Sequence, residues 1–80
     1  MKEIHIEYYA ILREQRGCKE ERVTTAASTP KELYLELQEK HHFSLPIENV
    51  KPAINDTFMD WNSELQANDK IVFIPPVTGG

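Results

Sequence analysis

The sequence predicts an α+β domain in which one main helix lies across a mixed sheet. Three observations carry the prediction. Ile4, Ile6 and Tyr8 alternate with His5, Glu7 and Tyr9, as in a strand with one buried face. Thr29-Pro30-Lys31-Glu32 is a capping box with proline at the first helical position, and it announces the only long helix. Ile71-Val72-Phe73-Ile74 is an unbroken apolar run between Asn68-Asp69 and Pro75-Pro76, which reads as a fully buried strand.

Local chemistry sets each element in turn. The first strand ends at Tyr8-Tyr9, where two adjacent aromatics break the alternation, so one of them faces outward. Ala10 to Gln15 forms a short helical turn with Ile11 and Leu12 inward and Gly17 as its stop. Lys19 to Thr25 pairs back on the first strand. Val23 is its clearest core residue, and its charges mark it as an outer strand. The helix spans Pro30 to His42, with Leu33 and Leu37 on one face and Tyr34 and His41 beside them. Phe43 to Pro52 connects without a clear period. Ala53-Ile54-Asn55 is a short strand with Pro52 confined to its start or to an edge position. Asn55-Asp56 makes a tight turn, because both residues tolerate left-handed backbone, and Thr57-Phe58-Met59 returns from it. Trp61 to Ala67 is a connector whose Leu65 plugs the core, and Asn68-Asp69 turns the chain into the last strand. An early hairpin, one helix and a last strand that pairs centrally make a β-grasp, or ubiquitin-like, arrangement.

Eighty residues form a single domain over 1–80, with 75–80 as an extended, flexible tail. The lone Cys18 has no internal disulfide partner, which fits a reducing, cytoplasmic setting. The first residues carry charges throughout and lack the apolar core of a signal peptide, and no run approaches a membrane span. A net charge of −4 without a basic face argues against nucleic acid. It suits a protein partner that offers a basic dock.

The last six residues hold the chemistry. Proline cannot donate to a sheet ladder, so pairing stops at Pro75. Pro75 and Pro76 hold the end of the chain extended, and Gly79 and Gly80 leave the tip without side chains. Six residues at about 3.3 Å each reach roughly 20 Å. The result is a rigid body carrying a thin probe that ends in a carboxylate.

Phe73-Ile74-Pro75-Pro76-Val77-Thr78-Gly79-Gly80, together with Ala53-Ile54-Asn55-Asp56, resembles the MoaD/ThiS family of ubiquitin-like sulfur carriers. Within it the closer likeness is to the small subunit of molybdopterin synthase, whose opening Tyr8-Tyr9-Ala10-Ile11-Leu12-Arg13-Glu14 also matches. Two positions depart from the pattern: Asn68, where the family often has glycine, and Ile74, where an aromatic is common. The resemblance implies that a ubiquitin-activating-like adenylyltransferase uses ATP to adenylate the Gly80 carboxylate. A sulfurtransferase or cysteine desulfurase then supplies sulfur, giving a thiocarboxylate. It implies that Pro75, Pro76, Val77, Thr78 and Gly79 enter the large subunit, in a heterotetramer, and that sulfur passes to a cyclic pyranopterin monophosphate. On this reading the chain is a non-catalytic donor that binds no cofactor or metal itself. Tyr8, Phe58 and Ile74 fall where the family makes apolar contacts with the large subunit. Ordinary core positions are the competing reading for these three.

Other residues carry weaker signals. Cys18 follows a turn glycine with no nearby base to activate it, so it reads as a loop residue. His41 and His42 are adjacent on a helix and face apart, which disfavours a shared metal. A helix C-terminus favours a partly positive imidazole there. Glu3, Glu7, Glu20 and Glu21 read as solvated strand faces. A sulfur carrier for thiamine or tRNA thiolation, a ubiquitin-like modifier, and a plain interaction domain remain competing functions on the same fold.

Overall fold

In the computed structural model, residues 1–76 are described. The sequence expectations for Val77, Thr78, Gly79 and Gly80 lie outside those residues. The elements are β1 (Lys2–Tyr8), α1 (Ala10–Arg16), β2 (Glu20–Thr25), α2 (Pro30–His41), a 3₁₀ turn (Ile47–Asn49), β3 (Lys51–Ile54), β4 (Thr57–Phe58) and β5 (Lys70–Ile74). The sheet runs β2-β1-β5-β3-β4. β5 is central, parallel to β1 and antiparallel to β3. This is the β-grasp arrangement.

The core lies between the sheet and α2. Ile4, Ile6, Tyr8, Ile71 and Phe73 from the sheet meet Leu33, Tyr34 and Leu37 from the helix, with Leu12, Phe43, Val50 and Leu65 closing the ends. Tyr34 sits at the middle of an aromatic group, with ring centroids 5.2 Å from Phe73, 5.7 Å from Trp61 and 5.9 Å from Phe43. α2 begins as its capping box predicts. The Glu32 amide donates to Thr29 Oγ1 at 3.2 Å, but the Glu32 carboxylate reaches back to the amide of Ser28 rather than Thr29. The helix stops at His41 because His42 turns left-handed, at φ 58°.

Pro52 is accommodated by position. Its carbonyl accepts from the Met59 amide, so the proline nitrogen also points toward β4, where the ladder has already ended, and the β5 side keeps its pairing. Asn55 and Asp56 take φ 50° and 72°, the two left-handed residues of a hairpin turn, and Asn68 takes φ 68°. The two turns are tied together. The Asn55 side chain donates to Asp69 Oδ1 at 3.1 Å and accepts from the Lys70 amide at 3.1 Å.

Four expectations are corrected. Ile11 is 39% exposed while Leu12 is buried, since neighbours on a two-turn helix lie about 100° apart and cannot both face inward. Val23 is only half-buried because β2 is a sheet edge, and the well-buried β2 residue is Thr25, at 1% exposure. Glu7 and Glu21 are not simply solvated. Glu7 is 8% exposed and pairs with Lys70 at 3.1 Å, while Glu21 is held by Arg16 and Tyr8. His41 is not favoured as a cation. It packs 5.8 Å from the Phe43 ring, and burial, reinforced by Arg16, pushes its pKa down.

Candidate docking site at the root of the tail

β5 delivers the chain to one end of the sheet. Ile74 pairs with Lys51 on its last rung, and Pro75 and Pro76 follow outside any ladder. Directly paired residues share a face, as do residues two apart on a strand. Phe58 stands opposite Ala53, Ala53 opposite Val72, and Lys51 opposite Ile74. These five therefore lie on the sheet face away from α2, while Pro52, Ile54, Ile71 and Phe73 fill the other. Val72 and Ala53 are each 7% exposed yet lie outside the core cluster, as that division requires. Phe58 is 65% exposed, an apolar ring on a two-residue strand with nothing over it among the described residues.

Phe58 lines two adjoining surface hollows. One, of about 420 Å³, is lined by Ile74, Pro75, Pro76, Phe58, Lys51 and the turn residues Glu48 and Asn49. The other, of about 690 Å³, shares Glu48, Lys51 and Phe58 and adds Val50, Pro52, Met59, Asp60, Trp61 and Ser63. The structure thus brings Phe58 and Ile74 together at the tail root. Met59, Trp61, Glu48 and Lys51 were not singled out from sequence. The run Phe58-Met59-Asp60-Trp61, three bulky apolar residues leaving a two-residue hairpin, is the signal that marks them.

Tyr8 does not belong to this surface. It is fully buried, 5.8 Å edge-on to Phe43, and points to the helix side of the sheet. The alternation that puts Ile4 and Ile6 inward puts Tyr8 there too. Its hydroxyl donates to Glu21 Oε2 at 2.6 Å, and Arg16 clamps the same carboxylate from Nε at 2.8 Å and Nη2 at 2.7 Å. Arg16 holds the Glu21 carboxyl below its usual range against the opposing effect of burial, while burial and the Glu21 hydrogen bond push the Tyr8 hydroxyl well above its own. Of the three predicted contacts, Tyr8 is a core residue whose polar tip is tied to a clamp.

On the open face, Glu7 and Glu20 sit side by side across β1 and β2, a like-charge pairing. Each has a neighbour of its own: the Lys70 ammonium lies 3.1 Å from Glu7, and the His5 ring nitrogen lies 3.7 Å from Glu20. The Tyr9 hydroxyl and then Lys70 lower the pKa of Glu7. Among the described residues no cluster of His, Cys, Asp and Glu gathers as a metal site, and no helix is long and apolar enough to cross a membrane.

The sequence model of the ThiS family matches residues 6–80. The chain belongs to the ThiS family. No curated protein matches it by sequence. Solved structures similar to this ThiS-family chain include one from the complex of subunits 1 and 2 of the molybdopterin-converting factor of Helicobacter pylori. That chain is 28% identical, with 98% of this chain and 99% of that one covered and a TM-score of 0.69. Another is the small archaeal modifier protein 1 of Methanosarcina acetivorans, 23% identical, covering 100% and 98%, with a TM-score of 0.79. A third comes from the BexX/CysO complex of Amycolatopsis orientalis, 19% identical, covering 96% and 99%, with a TM-score of 0.70. The last two show the shared fold. Two of the three were solved as complexes of two proteins.

Proposed function

We propose that this chain is the sulfur-carrier subunit of a molybdopterin synthase. One observation carries the reading: the central strand of a ThiS-family fold runs straight into Pro75-Pro76 at the end of the sheet, beside an exposed Phe58 and an apolar hollow. A body built this way docks by its open face and sends its tail forward. The likeness to a chain of the Helicobacter pylori molybdopterin-converting factor supports this reading.

A carboxylate is a poor electrophile. An adenylyltransferase joins the Gly80 carboxylate to the α-phosphate of ATP, with pyrophosphate leaving, and so supplies a leaving group. A persulfide on a sulfurtransferase or cysteine desulfurase then attacks the acyl carbon and displaces AMP, giving an acyl disulfide. A thiol attacks the donor-side sulfur of that bond, ends as a disulfide with the donor, and releases the thiocarboxylate. The large subunit, which holds the catalytic residues, receives the tail and passes the sulfur to a cyclic pyranopterin monophosphate. Docking of the body raises the local concentration of that sulfur, and the chain itself supplies position rather than acid–base chemistry. Gly79 leaves clearance in a narrow channel, and Phe58 and Ile74 make the apolar contact.

Intact-mass analysis of the protein from its native cells tests the reading. A gain equal to exchanging one oxygen for sulfur is expected, and isopeptide conjugates in its place would make the chain a modifier. Deleting Gly80 is expected to leave the fold intact and to abolish molybdopterin formation. Loss of thiamine or of thiolated tRNA instead would assign the carrier to another pathway.

A further inference from the structure

The larger hollow is not lined by Ile74, Pro75 or Pro76, and its walls are of two kinds. Val50, Pro52, Met59 and Trp61 give apolar surface, while Glu48 and Asp60 stand on its rim against a single cation, Lys51. Trp61 is fixed in place: its carbonyl accepts from the Lys31 amide at 3.0 Å, and its ring stacks on Phe73 at 6.1 Å and 15°. Phe73 and Tyr34, the latter 5.7 Å away and tilted by 59°, brace the indole from within, and the part of the ring they leave free lines the hollow. A hollow lined by an indole and two carboxylates attracts a cation whose stem can lie on apolar wall.

We infer that this hollow receives an arginine or lysine side chain from an apolar segment of the same protein that takes the tail. The inference rests on the carrier reading above and names a second contact of that partner. Two observations select the occupant. The two hollows share Glu48, Lys51 and Phe58, so a protein gripping the tail root at Pro75 and Pro76 meets Phe58 and reaches the larger hollow without a gap. The rim is net negative, in keeping with the chain's charge of −4, so a cationic side chain is complementary and an acidic one is repelled. A guanidinium can lie flat on the indole while donating to Glu48 or Asp60.

The test uses ¹⁵N-labelled chain with the unlabelled molybdopterin synthase large subunit of the same source. Trp61 is the only tryptophan, so a single indole N–H signal reports on the hollow, and the Gly79 and Gly80 amides report on the tail. The expected result is that both sets shift on binding. In the double reversal Glu48→Lys with Asp60→Lys, the glycine signals still shift, the indole shift is lost, and affinity falls by about five- to ten-fold, less at high salt. Glu64→Lys, an exposed reversal outside the hollow, leaves all three readings as in the unaltered chain. If the unaltered chain binds with glycine and indole shifts that survive the double reversal, the cationic occupant is wrong and the carrier reading stands. If the unaltered chain does not bind the large subunit, both fall.

Discussion

His41 and Glu21 lie close enough to influence each other, and both make stability fall with acid, in different windows. Burial lowers the pKa of His41, so the folded state disfavours its proton. Stability is whole above the unfolded value and is lost as pH falls below about 6.5 toward the folded pKa. Glu21 is lowered first by Arg16. Its contribution is present above its unfolded value of 4.5 and is lost as pH falls through the folded pKa. His41→Phe is therefore expected to flatten the upper part of a urea-midpoint-against-pH curve and leave the lower part unchanged. Glu21→Ala strands both the Arg16 guanidinium and the buried Tyr8 hydroxyl, and is expected to cost about 2–3 kcal/mol at neutral pH, measured by urea unfolding. Tyr8→Phe, which keeps the ring and removes one hydrogen bond, is expected to cost about 1 kcal/mol. None of this could be read from the sequence. Tyr8 was legible as an inward residue by its alternation with Glu7. Its hydroxyl partner lies 13 residues away on β2, and a period of two says nothing about what a polar tip will meet.

The elements were legible where local chemistry decides them. Thr29-Pro30 starts α2, Gly17 ends α1 at φ 86°, and Asn55-Asp56 and Asn68 occupy left-handed backbone, each for a reason contained in a few residues. Elements were misread where tertiary position decides. Val23 has a core side chain on an edge strand, and Ile11 has an apolar side chain on the outer face of a two-turn helix. Removing the Thr29 cap with Thr29→Ala is expected to cost about 1 kcal/mol in thermal or urea unfolding. Asn68→Ala places a Cβ residue without a helpful amide at φ 68° and is expected to cost about 1 kcal/mol, whereas Asn68→Gly is expected to be neutral or slightly stabilising. The same pair of substitutions at Asn55 should behave differently. Its side chain bridges to Asp69 and Lys70, so glycine there forfeits the tie between the two turns.

Across the whole molecule, the fold was readable because one helix and one central strand leave few ways to cover both apolar faces. The candidate docking site was half readable. Phe58 and Ile74 came from resemblance, and the surrounding hollows came only with the fold, because Glu48, Met59 and Trp61 are brought beside them by the 3₁₀ turn and the connector. Phe58→Glu is expected to weaken binding to the large subunit by roughly 2 kcal/mol, about 30-fold in Kd, with little change in melting temperature, since the ring is mostly exposed. A titration with unchanged affinity, beside a lowered melting temperature, would return Phe58 to a structural role.

The parallel pairing of β1 with β5 also bears on synthesis. His5 meets Lys70 and Tyr8 meets Phe73, so the earliest strand to leave the ribosome must wait for the latest before the core can close. A chain cut short ahead of Lys70 lacks its middle strand and cannot hold the helix, so it is left for proteases. Any copy that passes as folded has therefore been translated into β5, the strand that leads directly to Pro75 and Pro76.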